Sequence, residues 1–341
     1  MNNQANKFAI QAFWNAIAKA TPEETSKVCS DHLSPNFHWN GGDPFGQTFT
    51  PVDYARIFWE PLKRAIPDLA RHTHIFMGGQ SDANADGSHD GTMWVAGTGY
   101  FTGHAATPFL NIPTTEQKLR IRWGEFYRID EGKITYCQMI VDFIDWFDQI
   151  GQPVLPKPTG ALHVFPAPTG YNGELLTEQD AAITSKTRDF GRDFIFGGLN
   201  KFDENNLSSM AMANFFHPNL KWYGPGGIGG CLSFTEFETF HQKPWLTAFP
   251  DRKVIHLESL FAEDLMLAAS GPRGVIATHT GPYLGHPPSS ASIEVSGIDF
   301  WLRSKCGNTE NFVENWVFVD MIYLFQQMGV DLFGRLPKSK S

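Results

Sequence analysis

Two carboxylates sit where an acid could do chemistry. Glu125 lies in the run Leu119–Asp130 (LRIRWGEFYRID), in which Ile121, Trp123, Glu125, Tyr127 and Ile129 alternate onto one side. Arg120, Arg122, Arg128 and Asp130 fall on the other side. A carboxylate on an apolar strand face loses hydration, which raises its pKa toward the range of a general base. That reading needs the arginine side to face outward. Asp299, between Gly297 and Trp301, presents the same case further along the chain.

Supporting residues follow from the chemistry such a base needs. His279 could relay a proton beside a buried acid, and His241 is a weaker second imidazole. Tyr54, Tyr223 and Tyr283 could donate a hydrogen bond to a developing oxyanion. Trp39, Trp222, Trp123 and Met139 are candidate walls of an apolar pocket, although rings at such positions more often serve packing. Asp142 and Asp320 each precede an apolar helical segment (FIDWFDQIG and MIYLFQQMG). A helix N-cap is the plainer reading of both, with a pocket role beside it.

Other chemistries lack their residues. The glycine-rich stretch Gly224–Gly230 has no Lys-Ser/Thr and no strand–helix setting for a phosphate or dinucleotide. No HExxH, GxSxG or paired His/Cys spacing occurs, so neither metal nor nucleotide cofactor is expected. The four cysteines (Cys29, Cys137, Cys231, Cys306) are scattered, which fits a reducing, cytoplasmic setting. A net charge of -9 with no basic run disfavours nucleic acid as a partner. The amino-terminal residues read as an amphipathic helix and not a leader, and no apolar run is long enough to span a membrane.

The elements that must position these residues occur twice. Offset by 183 residues, SPNFHWNGGDPFG from Ser34 falls on HPNLKWYGPGGIG from His217. The register runs on without a gap to Pro67-Asp68 over Pro250-Asp251, with nine identities across the 34 positions from 35 to 68. Chance gives roughly two. Loop insertions then change the offset to 174, where Glu125 and Phe126 meet Asp299 and Phe300, and to 178, where Asp142 meets Asp320. The expected organisation is a first domain over 1–151, a Pro/Gly-rich linker over 152–176 and a second domain over 177–335. Within each copy helices come first and strands later. Helices are expected at Phe8–Ala18 and from Thr177 to Asn200, then near 51–65 and 233–247. The fold class is α+β, with helices on one face of a curved antiparallel sheet. Exposed sheet faces would invite pairing of the two copies within the chain, or with a second chain.

FYRIDEGKI with Val141-Asp142 and Gln149-Ile150-Gly151 resembles the carboxy-terminal signature of the SnoaL-like polyketide cyclases. Thr280–Pro288 (TGPYLGHPP) and His217-Pro218-Asn219 with Trp222 resemble it in the second copy. That family belongs to the nuclear transport factor 2-like superfamily. The resemblance implies tandem cone-shaped α+β barrels, each with an apolar pocket between helices and sheet, and acid–base chemistry without a cofactor. The family's essential acid would fall at Met139 and Val317, and its histidine at Glu125 and Asp299. The expected function is proton transfer on a hydrophobic carbonyl-bearing small molecule: cyclisation, isomerisation, dehydration or aldol-type cleavage. A non-catalytic binding or structural module of the same fold is the alternative.

Overall fold

The computed structural model describes residues 3–84, 90–161, 164–203, 206, 208–306 and 309–337. In the first half, α1 (Asn3–Lys19) buries Ile10, Phe13, Trp14 and Ile17 at helical spacing. Phe8, expected in that stripe, is exposed, and Lys7 points inward in its place. Thr21 opens the next helical stretch, its amide donating to Glu24 Oε2, and α2 (Thr25–His32) leads into β1 (Leu33–Asn40). After β2 (Gln47–Thr48), α3 (Pro51–Tyr54), a π turn (Ala55–Trp59) and α4 (Glu60–Ala65) run on as one helical segment. The strands β3 (Ala70–Gln80), β4 (Met93–Gly103), β5 (Leu119–Asp130) and β6 (Lys133–Val141) follow, and α5 (Phe143–Gln149) ends the half. Glu131 and Gly132 both have positive φ, making the two-residue hairpin turn between β5 and β6.

The second half repeats this plan. α6 (Ala181–Arg192) starts at an Asp180 cap, three residues later than expected, and passes into a π turn (Asp193–Gly198). There follow β7 (Phe216–Tyr223), β8 (Gly230–Cys231), α7 (Phe234–Phe237), a π turn (Glu238–Gln242) and α8 (Lys243–Ala248). β9 (Lys253–Val254), β10 (Ser259–Glu263), β11 (Met266–Thr278), β12 (Ser292–Cys306), β13 (Thr309–Val319) and α9 (Met321–Gln327) complete it. The turn between β12 and β13 falls on 307–308, outside the described residues.

The two sheets have one topology, β2-β1-β6-β5-β4-β3 and β8-β7-β13-β12-β11-β10, with β9 also on β11. Both are mostly antiparallel, but β1 pairs with β6, and β7 with β13, in parallel. This departs from the all-antiparallel expectation. The long path from β1 to β6 leaves room to return in the same direction. One difference matters below: β3 is continuous, whereas its counterpart is broken into β9 and β10 at 255–258.

The sheets meet back to back. Phe126 and Phe300, partners under the repeat, lie 5.3 Å apart, with Phe261 at 5.9 Å from Phe126. Ile75, Met77 and Trp94 of one outer face share a core with Ile298, Trp316 and Phe318 of the other. The arginine side of β5 therefore does not face water throughout, as strand alternation suggests it should. Arg122 is buried in this seam and donates to the carbonyls of Tyr223, Gly224 and Val317. Only Arg120 on that side is exposed. A buried ion pair, Lys7 Nζ to Glu263 Oε1 at 2.5 Å, also crosses it. The segment between the halves is stitched in as well, with Leu175 N donating to Phe76 O at 2.8 Å and Phe165 in the shared core.

Asp142 and Asp320 close the seam in a reciprocal exchange. Asp142 Oδ1 caps α5 by accepting from Asp145 N at 3.2 Å, and Asp142 Oδ2 accepts from Gly226 N of the other half at 2.9 Å. Asp320 caps α9 by accepting from Tyr323 N at 3.0 Å, and takes Asp43 N of the first half at 2.9 Å. Positions 43 and 226 are repeat partners, as are 142 and 320. The glycines beside these contacts leave no room for a side chain. A Cβ at Gly42, whose φ is +64°, would stand 2.6 Å from Asp320 Oδ2, and one at Gly226 would stand 2.8 Å from Asp142 Oδ1. Burial pushes Asp320 up from 3.8 to about 7. Asp320→Ala removes the cap and strands the Asp43 amide. It should lower stability by about 1–2 kcal/mol, read from the urea midpoint, whereas Asp320→Asn keeps the cap through its one carbonyl oxygen but loses the acceptor for the Asp43 amide, and should fall between the parent and the alanine variant.

Candidate functional site

The concave interior of the first half is built of buried rings around one cation. Arg71, on β3, lies over Trp14 and Trp123 at 4.2 Å, Phe101 at 4.7 Å and Trp59 at 5.7 Å. Its guanidinium forks onto Glu125, Nη1 to Oε2 at 2.8 Å and Nη2 to Oε1 at 3.1 Å. Tyr127 Oη donates to the same carboxylate at 2.9 Å. Glu125 is fully buried on the apolar face, as its alternation predicts, but it is not the lone acid that the sequence suggests. Both its oxygens are taken by Arg71, a residue 54 positions away.

The second half carries smaller residues at the same places. The sheet registers pair Arg71 with Phe101 and Phe101 with Ile121, and likewise Val254 with Val275 and Val275 with Val295. With Ile121 over Val295 in the repeat, Arg71 becomes Val254 and Phe101 becomes Val275. By direct offset Trp59 becomes Gln242 and Trp123 becomes Gly297. All four replacements line a cavity of about 220 Å³. Six rings, Phe194, Phe216, Trp222, Phe237, Trp245 and Trp301, share its walls with aliphatic and a few polar side chains. The cavity is the space that the Arg71 cluster fills in the other copy.

Asp299 lies on the β12 wall of this cavity. It faces the empty space and so retains some accessible surface, yet protein encloses that space on the sheet and helix sides. Burial pushes its acid up from 3.8 to about 7, against weaker opposing pulls from the Asn315 amide and Arg122. Asn315 Nδ2 is 3.3 Å from Asp299 Oδ1 and 3.0 Å from Phe300 O. His241, in the π turn after α7, stacks on Trp222 at 4.2 Å with an 18° interplanar angle. Burial, with Arg252 adding, lowers its pKa from 6.5 to about 3, so the ring is neutral. Arg252 also lines the cavity, between α8 and β9.

The other candidates lie elsewhere. Trp39, Tyr54, Trp123 and Met139 are buried in the filled interior of the first half, with Trp39 and Tyr54 4.7 Å apart. Burial pushes the Tyr54 phenol well up, leaving it a hydroxyl. Trp222 alone of the proposed walls lines the cavity. Tyr223 sits in the seam, its hydroxyl donating to Glu314 Oε1 at 2.9 Å. Asp142 and Asp320 are the caps already described. His279 is fully buried away from the cavity lining, with Nδ1 beside Ser289 Oγ at 3.0 Å and its ring 5.4 Å from Phe249. Burial lowers its pKa. Tyr283 packs between Phe249 and Trp245. Of the acid, imidazole and ring candidates, the structure brings together Asp299, His241 and Trp222.

Residue patterning alone passes over Arg71, Arg252 and Asn315. The repeat itself holds the signal for the two arginines. The 183 offset sets Arg71 against Val254 and Arg252 against Leu69, charge against hydrocarbon in both directions. Among the described residues no His/Cys/Asp/Glu group is arranged to hold a metal ion. No helix among them is long and apolar enough to cross a membrane.

No family model matches the chain, and no curated protein matches it. Among solved structures, it is similar to a candidate SnoaL-like polyketide cyclase from Jannaschia sp., with 13% identity and a TM-score of 0.37 over 45% of this chain and 99% of that one. A candidate polyketide cyclase from Acidithiobacillus ferrooxidans is 22% identical over 42% of this chain and 94% of its own, with a TM-score of 0.33. TsrD from Streptomyces laurentii is 21% identical over 45% and 98%, with a TM-score of 0.31.

The buried charges of the two halves should respond oppositely to substitution. Arg71→Met leaves Glu125 buried without its cation and should cost about 3–5 kcal/mol in chemical unfolding, much of it regained in Arg71→Met/Glu125→Leu. Asp299 behaves in the other sense. Its folded value of about 7 lies above the unfolded value near 3.9. Below about pH 4 the acid is neutral in both states, and its contribution is fully present. As pH rises to 7 the folded protein resists ionisation and stability falls. Asp299→Asn should therefore be more stable than the parent by a few kcal/mol at pH 8, with the two unfolding curves converging near pH 4.

Proposed function

We propose that the second half is a cofactor-independent enzyme unit. It binds a compact hydrophobic molecule bearing a carbonyl, and Asp299 removes a proton from the carbon beside that carbonyl. The observation that carries this reading is an acid without a cation partner on the wall of a ring-lined cavity, pushed up to about 7 by burial, where its repeat partner Glu125 is locked to an arginine. An acid of that pKa is about half ionised at neutral pH, close to the optimum for a general base. The rings of Trp222, Phe237 and Trp301 supply the apolar walls, and exclusion of water strengthens each polar contact within them. His241, held neutral, offers a ring N–H to the oxygen on which charge develops. Asn315 fixes the orientation of the acid through Oδ1.

Abstraction leaves an enolate, and where the proton or the electron pair goes next separates isomerisation, cyclisation, dehydration and aldol-type cleavage. A cavity of about 220 Å³ is below the roughly 300–1,000 Å³ of drug-sized sites, which favours a substrate of one ring. The first half, with its interior full, acts as a structural partner.

Exchange of the α-protons of cyclohexanone in D₂O, followed by proton NMR, tests the reading. The protein should raise the exchange rate above buffer, with the rate climbing through about pH 7. Asp299→Asn should lower it about 100-fold or more, while a folded Glu125→Gln variant keeps it within a few-fold. Equal exchange by the parent and Asp299→Asn would make the second half a binding module.

A further inference from the structure

We propose that Arg252 is the anion-binding group of the second cavity, and that the molecule held there is a hydrophobic carboxylate: a single ring or short chain ending in one carboxyl group. This substrate class rests on the cavity reading above. Among the described residues, Arg122 at 3%, Arg303 at 5% and Arg252 at 8% exposure are buried, as is the Arg71 side chain at 10%, which is paired with Glu125. Arg122 has Asp142 at 3.5 Å and three carbonyls, and Arg303 pairs with Glu310. Arg252 has no carboxylate among the described residues. Its hydrogen bonds to the described residues both leave Nη2, to Leu199 O at 3.3 Å and to Met210 Sδ at 2.7 Å, with the Phe202 ring 5.2 Å away.

Five N–H donors with one long carbonyl contact and one thioether are poorly served. Burying such a cation is costly unless an anion meets it. Nearby charges are committed elsewhere. Asp251, the adjacent residue, accepts from Thr278 N at 2.7 Å and Thr278 Oγ1 at 2.6 Å. His256 lies 3.1 Å from Glu258. His241, which also lines the cavity, is neutral and adds no charge to balance.

The form of the missing anion follows from the surroundings. One guanidinium balances one negative charge, and its planar fork matches a carboxylate through two parallel hydrogen bonds. A dianionic phosphate would call for a second cation, and among the described lining residues the remaining basic side chains are His241 and His256. The aromatic walls then take the apolar body. Asp299 stands on the β12 wall of the same cavity, and Arg252 is held by Leu199 and Met210.

Phenylacetate and its neutral isostere phenylacetamide are suitable probes, followed through the fluorescence of Trp222, Trp245 and Trp301. The parent should bind phenylacetate at least about tenfold more tightly than phenylacetamide, and Arg252→Met should abolish that ratio while leaving the affinity for phenylacetamide within about threefold. Should Arg252→Met fail to fold, Arg252→Lys and the parent's melting temperature decide the matter. Lysine should keep a weaker preference for the acid, and phenylacetate but not phenylacetamide should raise the parent's Tm. Equal affinity for both probes, a preference that survives Arg252→Met, or no saturable binding of either probe would overturn the proposal. Asp299→Asn separates the two readings. It should retain the preference for phenylacetate even if α-proton exchange proves independent of Asp299.

Discussion

A guanidinium wedged among four aromatic rings sets the character of both halves, by its presence in one and its absence in the other. Arg71 is tolerated in the first interior because Glu125 neutralises it and Trp14, Trp59, Phe101 and Trp123 surround it. No member of that group can be removed singly without leaving a buried charge or a hole. In the second half Arg71, Trp59, Phe101 and Trp123 are replaced by Val254, Gln242, Val275 and Gly297. The acid at the partner position then keeps no cation. The same strand position thus yields a structural ion pair in one copy and a poised base in the other, and the difference lies in residues that neither touch each other in sequence nor share a strand.

A duplicated fold allows this division of labour because the two copies support each other through the seam. The outer sheet faces hold Phe126 against Phe300, so the middle of each face is kept from water. A filled interior in the first half gives the sheet beneath it a rigid backing. The second half can then leave a cavity, a buried arginine without a carboxylate and an acid of raised pKa, each of which costs stability on its own.

Much of the architecture is legible in the chain. The two-residue alternation around Glu125 and Asp299 marks the inner face of the sheet because side chains on a strand can only point one way or the other. The offsets of 183, 174 and 178 between the copies identify equivalent positions from residue identities alone. The caps at Asp142 and Asp320 follow from an acid directly before an apolar helical run. What the chain conceals depends on long-range approach. Nothing local to Glu125 announces Arg71 on a strand two ladders away. The burial of Arg122 follows from the second sheet packing over its face, which alternation alone cannot show. A place beside a family-like signature favours His279 over His241, but the fold turns His279 against Phe249 and gives the cavity to His241. The parallel entry of β1 beside β6 is likewise a property of connection, not of residue type.

The crossed amides at Asp142 and Asp320 carry a consequence for how the chain comes apart. Fraying the start of either carboxy-terminal helix withdraws an acceptor from the opposite half's glycine loop, and disturbing either loop unseats the other half's helix. Damage on one side is transmitted at once to its twin. The duplicated chain should therefore melt as a single cooperative body, although its sequence is written as two.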